Sequence, residues 1–114
     1  MADQINPDQY VHLNDGIATI GFTADAVENT YNFSIANLQV NSNLIGHLIK
    51  KSDVYGIFMV GNQVINLEMP VSATLIEINP LLNTNSMLVN TDPEGKGWLI
   101  RARPIPALQT DVAS

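Results

Sequence analysis

The chain has 114 residues, no cysteine and a formal net charge of −6, from five Lys and Arg against eleven Asp and Glu. This length accommodates one domain around a single hydrophobic core. The acidic balance argues against nucleic acid and anionic membranes as partners, because both require clustered cations. The lack of cysteine excludes disulfides, thiolate catalysis and cysteine-based metal sites.

The two ends of the chain differ in composition from the middle. Residues 1–9 are polar and carry neither a basic nor an Arg-rich segment, so we expect an N-terminal extension without a targeting signal, and a cytoplasmic protein. Residues 10–104 are expected to form the domain, and 105–114 a flexible tail without hydrophobic period. No apolar run approaches the roughly 20 residues that cross a bilayer.

The first half of the chain predicts a hairpin, a short helix and a strand. Asn14, Asp15 and Gly16 tolerate turn conformations and connect two apolar stretches, 10–13 and 16–22. Thr23 is a suitable N-cap for a helix of under two turns. This helix is predicted over 24–29. A strand is predicted over 31–40, based on alternating Phe33, Ile35 and Leu38.

A central hairpin is predicted from two alternating stretches joined by Gly61-Asn62, because Gly accepts positive φ at the first turn position and Asn tolerates the left-handed region. The first arm, 55–60, is apolar on both faces, which is typical of a strand covered on two sides. The return arm, 63–69, alternates, with Ile65, Leu67 and Met69 on one face and Val64, Asn66 and Glu68 on the other. Its tip, Val60, Gly61, Asn62 and Gln63, is our candidate interaction site.

The second half continues with short elements separated by turns. Pro70 ends the hairpin because it cannot donate to a strand ladder. The elements predicted after it are a strand over 71–78, a helix over 81–85 begun by Asn79-Pro80, a turn over 92–97 and a final strand over 98–103. Many short strands with frequent turns indicate a mainly β fold, a sandwich or barrel with short helices.

No constellation of residues indicates catalysis or a metal site. His12 and His47 lack metal-ligand spacing and are better explained as surface or sheet-edge residues. The carboxylates are scattered singly, where solvation and capping explain them. We interpret Lys50-Lys51 as a solvated turn and Trp98 as a core or rim aromatic. The sequence therefore predicts no enzyme, no metal and no cofactor.

Four stretches together resemble a known family. They occur at residues 15–23, at 50–56, at 70–72 with 77–79, and at 88–99, the last being the distinctive run LVNTDPEGKGWL. In this order and spacing they resemble the glycine cleavage system H protein family, over about residues 10–104. The resemblance implies a lipoyl-domain β-sandwich, or flattened barrel, with short helices.

The resemblance also implies where this chain departs from the family. The family carries lipoate on a lysine at the tip of the central hairpin, and counting back from Pro70 places that position at Asn62. Asn has no primary amine, and no lysine lies between Lys51 and Lys96. The family's Glu that helps to hold the loaded amine corresponds to Gln9.

Three functions are compatible with these departures. The first is a non-lipoylated binding module or pseudo-carrier, whose partner would be a glycine cleavage enzyme, a lipoate-attaching enzyme or an unrelated protein. The second is a carrier of the glycine cleavage pathway that uses another attachment group. The third is a homodimer or a small-ligand cleft formed on the apolar faces of the hairpin.

Overall fold

The computed structural model describes residues 8–105, which form a two-layer β-sandwich. Its elements are strands β1 (Gln9–Asn14), β2 (Ile17–Phe22), β3 (Ile35–Val40), β4 (Leu48–Ile49), β5 (Val54–Val60), β6 (Gln63–Glu68), β7 (Ala73–Ile78) and β8 (Ile100–Pro104), with short helices α1 (Leu81–Thr84) and α2 (Leu88–Thr91). One sheet has the order β1-β2-β8-β7-β4 and the other the order β3-β5-β6. Every strand pair is antiparallel. The prediction of a mainly β sandwich with short helices is confirmed.

The core lies between the two sheets and is centred on three aromatic rings. Phe22, Tyr31 and Phe58 contact one another edge to face, with ring centroids 5.0 to 5.8 Å apart. This geometry favours contact between the positive edge of one ring and the negative face of the next. Because Phe22 lies in β2 and Phe58 in β5, the cluster joins the two sheets.

The central hairpin forms as predicted at its tip and on its return arm. Val60 pairs with Gln63, and Gly61 has φ +62°, the conformation that a two-residue turn with Gly at its first position requires. Asn62 keeps negative φ, so the left-handed tolerance of Asn is not used here. Leu67 is buried and Ile65 half-buried, whereas Val64, Asn66 and Glu68 are exposed.

The first arm of the hairpin differs from the prediction. Strand β5 is central in its sheet, but only its inner face is covered. Tyr55 and Phe58 are buried, Ile57 and Met59 are half-buried, and Val54 is 47% exposed. The expectation of cover on two sides is therefore wrong, because only one sheet packs against this strand.

The N-terminal region follows the predicted hairpin but not the predicted third strand. The β1–β2 turn uses Asp15 and Gly16 with positive φ. The Thr23 hydroxyl accepts a hydrogen bond from the Ala26 amide at 3.1 Å, so it caps the helical turn, which widens to π-type over Ala26–Thr30. Strand β3 begins only at Ile35, because positive φ at Asn32 and Phe33 breaks the extended backbone.

The described residues extend slightly beyond both ends of the predicted domain, 10–104. Strand β1 begins at Gln9, and the Asp8 carbonyl accepts a hydrogen bond from the Thr23 amide, so these two residues of the expected N-terminal extension are joined to the sandwich. Residues 1–7 and 106–114, which hold the rest of that extension and nearly all of the predicted flexible tail, lie outside the described part of the chain.

Two buried asparagines hold the helical segments onto the sheets. The Asn79 Nδ2 group donates to the carbonyls of Lys96 and Trp98, both at 2.7 Å, while its Oδ1 accepts from the Leu81 amide at the start of α1. Asn90, in α2, bonds both backbone groups of Ile35, at 3.1 Å to the amide and 2.9 Å to the carbonyl. The side-chain carboxamide of Asn90 thus makes the hydrogen bonds to the Ile35 backbone that a neighbouring strand would otherwise make.

Replacing Asn90 by Ala should destabilise the fold markedly. The variant leaves the Ile35 amide and carbonyl without partners in a buried site, so we expect the free energy of unfolding to fall by about 2–4 kcal/mol. Urea denaturation measures this value. Asn83→Ala, at an exposed amide in α1, is the matched control and should change stability by less than about 0.5 kcal/mol. Equal losses in the two variants would contradict the bridging role of Asn90.

Candidate functional site

The hairpin tip is an exposed, uncharged surface at one end of the sandwich. Gly61, Asn62 and Gln63 are exposed, and Val64 behind them is 60% exposed. A Cβ placed on Gly61 would meet no atom of the described residues within 4 Å, so the turn itself is open to solvent. On the neighbouring strands, the Asn37 side chain donates to the Met59 sulfur at 3.3 Å. The tip therefore offers amide groups and apolar surface, and no ionisable group.

The position assigned to the lipoyl lysine is chemically unsuited to acylation. A lipoyl amide forms from a nucleophilic amine, whereas the nitrogen of the Asn62 carboxamide shares its lone pair with the carbonyl. The three lysines of the chain, Lys50, Lys51 and Lys96, lie in two exposed turns outside the tip. Asn62 itself is exposed, so its carboxamide is accessible to solvent.

Gln9 lies at the opposite end of the central hairpin from Asn62. Its Oε1 accepts a hydrogen bond from the Tyr55 hydroxyl at 2.5 Å, and its Nε2 donates to the Glu68 carbonyl at 2.8 Å. Tyr55 and Val60 are five residues apart in β5, which corresponds to about 17 Å along a strand. The structure thus places Gln9 and Asn62 far apart, and it makes Gln9 a buried connection between the sheets.

The three tyrosines, Tyr10, Tyr31 and Tyr55, share one electrostatic property: the pKa of each hydroxyl is raised. Burial raises the pKa of the fully enclosed Tyr55 hydroxyl well above its usual value. Burial, followed by the carboxylates of Glu94 and Asp92, raises the pKa of Tyr10 to about 12. Burial, followed by the hydrogen bond to the Asp8 carboxylate, likewise raises the pKa of Tyr31. All three hydroxyls therefore remain protonated donors at neutral pH.

The two histidines, the paired lysines and the tryptophan occupy structural or solvated positions. His12 and His47 are exposed, as expected, and no three metal-ligating side chains cluster within residues 8–105. Lys50 and Lys51 lie in an exposed turn. Trp98 is buried, and the Arg101 guanidinium lies 4.1 Å from its ring centroid, which confirms the core or rim assignment.

The sequence did not predict a cleft of about 620 Å³ between strand β3 and helix α1. Its walls combine apolar side chains such as Leu38 and Leu82 with the neutral polar residues Gln39, Ser42 and Asn83. Since these residues are far apart in sequence, no local pattern could have indicated the cleft. None of the described residues that line it is ionisable.

The run at residues 88–99 forms helix α2 and the tightly packed loop that follows it. The Asp92 carbonyl accepts from the amides of Gly95 and Gly97, and a Cβ on Gly97 would lie 2.2 Å from the Leu88 carbonyl oxygen. The Asp92 carboxylate accepts from the Lys96 amide, and Glu94 accepts from the Ala24 amide at 2.6 Å. The distinctive residues of this run therefore maintain the scaffold.

Comparison with known proteins shows the family of this chain. The family model described as "Glycine cleavage H-protein" matches residues 3–112. The chain belongs to this family. A glycine cleavage system H protein of Bacteroides fragilis is 30% identical over 106 residues, covering 93% of this chain and 81% of the relative, and one from a Nostoc species is 35% identical over 95 residues, covering 83% and 70%.

A solved member of the family has the same fold. The H protein of Mycobacterium marinum superposes with a TM-score of 0.74 at 23% identity, covering 88% of this chain and 81% of that one. Members of this family are carrier proteins and not enzymes, so the family agrees with the expectation that this chain is not an enzyme. No helix within the described range is long and apolar enough to cross a membrane.

Gln9→Glu should make folding pH-dependent. The substitution removes the Nε2 donor and turns a carboxylate oxygen toward the Glu68 carbonyl in a buried site, so we expect a loss of about 2–3 kcal/mol at pH 7. Burial and the facing carbonyl raise the pKa of the introduced carboxyl group in the folded state. Between its unfolded and folded pKa values the native state binds more protons, so stability falls as pH rises through that window.

The loss relative to the parent chain should therefore shrink when urea denaturation is repeated at about pH 5, as the introduced carboxyl group protonates and donates to the Glu68 carbonyl. Gln63→Glu, which places the same change on the exposed tip, is the matched control and should show little dependence on pH. A Gln9→Glu variant as stable as the parent at both pH values would contradict the role assigned to Gln9.

Proposed function

We propose that this chain is a non-lipoylated member of the glycine cleavage H-protein family that binds a protein partner and carries no acyl group. Its interaction site is the hairpin tip, Val60, Gly61, Asn62 and Gln63. It performs no chemistry itself, has no cofactor and acts in the cytoplasm.

The single observation that carries this proposal is Asn62 at the position of the lipoyl lysine. The tip has a tight two-residue turn, and Gly61, Asn62 and Gln63 are exposed, as an attachment site would require. It lacks the amine, and the residues before it are Met59-Val60-Gly61, where the family resemblance implies Glu-Ser-Val or a similar lipoylation context. Loss of both the reacting group and its context supports a function other than acyl transport.

The distribution of retained features also supports a binding module. Residues of the family-like run at 88–99 form hydrogen bonds and close backbone contacts. These hold α2 and its loop against the sandwich. A chain that keeps these scaffold residues can still present the family's overall surface. A partner that recognises that surface, such as a glycine cleavage enzyme or a lipoate-attaching enzyme, is the partner class we favour.

The carrier alternative makes a different chemical demand. It requires attachment at another nucleophile, and the exposed amines of Lys50, Lys51 and Lys96 are the candidates that the sequence contains. None of them lies at the hairpin tip, so a carrier of this kind would have to swing its arm from a different part of the surface.

Intact mass spectrometry of the protein from its own cells distinguishes these functions. We expect the mass of the unmodified chain, and no turnover when this protein is the sole H component in a reconstituted glycine cleavage assay. A family member with a lipoyl lysine serves as the positive control. An acyl-sized mass increment, located by peptide mapping at any residue, would overturn the proposal.

Restoring the lysine alone should not restore modification. Asn62→Lys supplies the amine, but Met59 on the outer face and Gly61 in the turn leave the recognition context incomplete, so we expect a lipoate ligase to leave this variant largely unmodified. The double variant Met59→Glu with Asn62→Lys should be modified more. Intact mass measures both, with circular dichroism to confirm folding, and efficient modification of the single variant would show that context is not limiting.

A further inference from the structure

The free edges of the two sheets differ in how they are protected. Edge strands present unpaired backbone groups, and proteins block them with bulges, short lengths, charges or covering groups. Strand β3 has a register shift between Ala36 and Gln39, and Asn90 bonds the backbone of Ile35. Strand β4 has only two residues. Strands β1 and β6, with six residues each, are the regular edges of the described sandwich.

The backbone groups of β6 that face away from β5 follow from the hairpin geometry. Val60 and Gln63 flank a two-residue turn and therefore form a hydrogen-bonded pair, after which bonded and non-bonded pairs alternate. The amide and carbonyl groups of Val64 and Asn66 consequently point outward. The Glu68 carbonyl, next in this series, accepts from Gln9, which agrees with the alternation and blocks the base of the edge.

One antiparallel register lets this edge pair with itself. If Ile65 lies opposite Ile65 of a second copy, Val64 of each copy faces Asn66 of the other, and their outward amides and carbonyls form four hydrogen bonds. In this register the inward-facing side chains of both copies lie on the same face of the joined sheet, because the numbers of opposing residues differ by an even number. The register leaves the Glu68 carbonyl with Gln9.

Charge and side-chain type favour β6 over β1 for this pairing. The only ionisable residue of β6 is Glu68, which in this register faces Asn62 of the other copy, so no like charges oppose each other. The equivalent self-pairing of β1 would place His12 against His12. The β6 register instead opposes two β-branched Ile65 side chains and covers Val64, which is 60% exposed.

We propose that β6 is a dimerisation strand, which pairs antiparallel with β6 of a second copy about a two-fold axis at Ile65 and joins the two three-stranded sheets into one of six strands. This inference does not depend on whether Asn62 is modified. Four hydrogen bonds and a short apolar contact make the dimer weak and concentration-dependent. Because each copy carries a net charge of −6, added salt strengthens it by screening the repulsion between copies.

Proline substitution of the full-length chain tests the strand. Val64→Pro removes an outward amide donor in each copy and places a ring in the contact, while the bonds to β5 remain. We expect sedimentation equilibrium to show a monomer–dimer equilibrium for the parent chain and at least about a tenfold larger Kd for Val64→Pro. Val64→Thr retains the amide and a β-branched side chain and should still dimerise.

Leu13→Pro is the matched control for the other edge. By the same alternation from the β1–β2 turn, the Leu13 amide points outward from β1 and the side chain is 62% exposed. We expect this variant to dimerise like the parent. Loss of the dimer in Leu13→Pro with no effect of Val64→Pro would overturn the proposal, as would a parent chain that stays monomeric up to about 1 mM.

Single cysteines test the register, because the chain has none of its own. Ile65→Cys places two Cα atoms in a non-hydrogen-bonded pair, about 4.5 Å apart, which a disulfide can span. Under mild oxidation this variant should form covalent dimers. Val64→Cys alone should not, because the two copies of residue 64 lie about 8 Å apart. Crosslinking of Val64→Cys but not of Ile65→Cys would contradict the register, and circular dichroism confirms that each variant is folded.

Discussion

The hydrogen bonds of the buried residue Gln9 connect parts of the sandwich that no strand ladder joins. Gln9 is the first residue of β1 in the five-stranded sheet, and its side chain reaches Tyr55 in β5 and the backbone of Glu68 in β6. A carboxamide is suited to this position because it accepts from a hydroxyl and donates to a carbonyl at the same time. Beside it, the Phe22, Tyr31 and Phe58 rings fill the space between the sheets.

This role changes the meaning of a departure from the family pattern. The resemblance assigns to the position of Gln9 a glutamate that helps to hold the loaded amine. In the present fold the same position is committed to structure, with both polar atoms of its side chain engaged. At the other end of the hairpin, the Asn62 side chain is exposed. Gln9 therefore belongs to the scaffold, whereas Asn62 lies on the exposed tip.

The remaining surface of the hairpin has its own consequence. Strand β6 carries exposed Val64 and Asn66 beyond the part of its edge that Gln9 blocks, whereas β3 is held by Asn90. The contrast follows from chain connectivity, because α2 passes beside β3 and can offer a side chain, whereas β6 is followed directly by β7 in the opposite sheet. Within residues 8–105, the outer edge of β6 therefore lies next to an exposed, uncharged tip.

The sequence by itself determined the elements with strong local signals. The alternation of Ile65 and Leu67 against Val64 and Asn66 fixed the buried face of β6, Gly61 fixed the turn, and Thr23 fixed the start of the helical turn. The sequence also determined that no lysine lies between Lys51 and Lys96, since that depends only on residue type and position. The family-like run at 88–99 indicated the fold correctly.

The tertiary structure alone decided what depends on residues distant in the chain. The peptide of Ile35 lies 55 positions from the side chain of Asn90, and Tyr55 lies 46 positions from Gln9, so no local pattern could pair them. Phe33 continued the alternation of a strand, but the left-handed backbone at Asn32 and Phe33 removed it from the sheet. Apolar residues on both faces of β5 could not show that only one sheet covers it, because cover is a property of the packed layers and not of the strand.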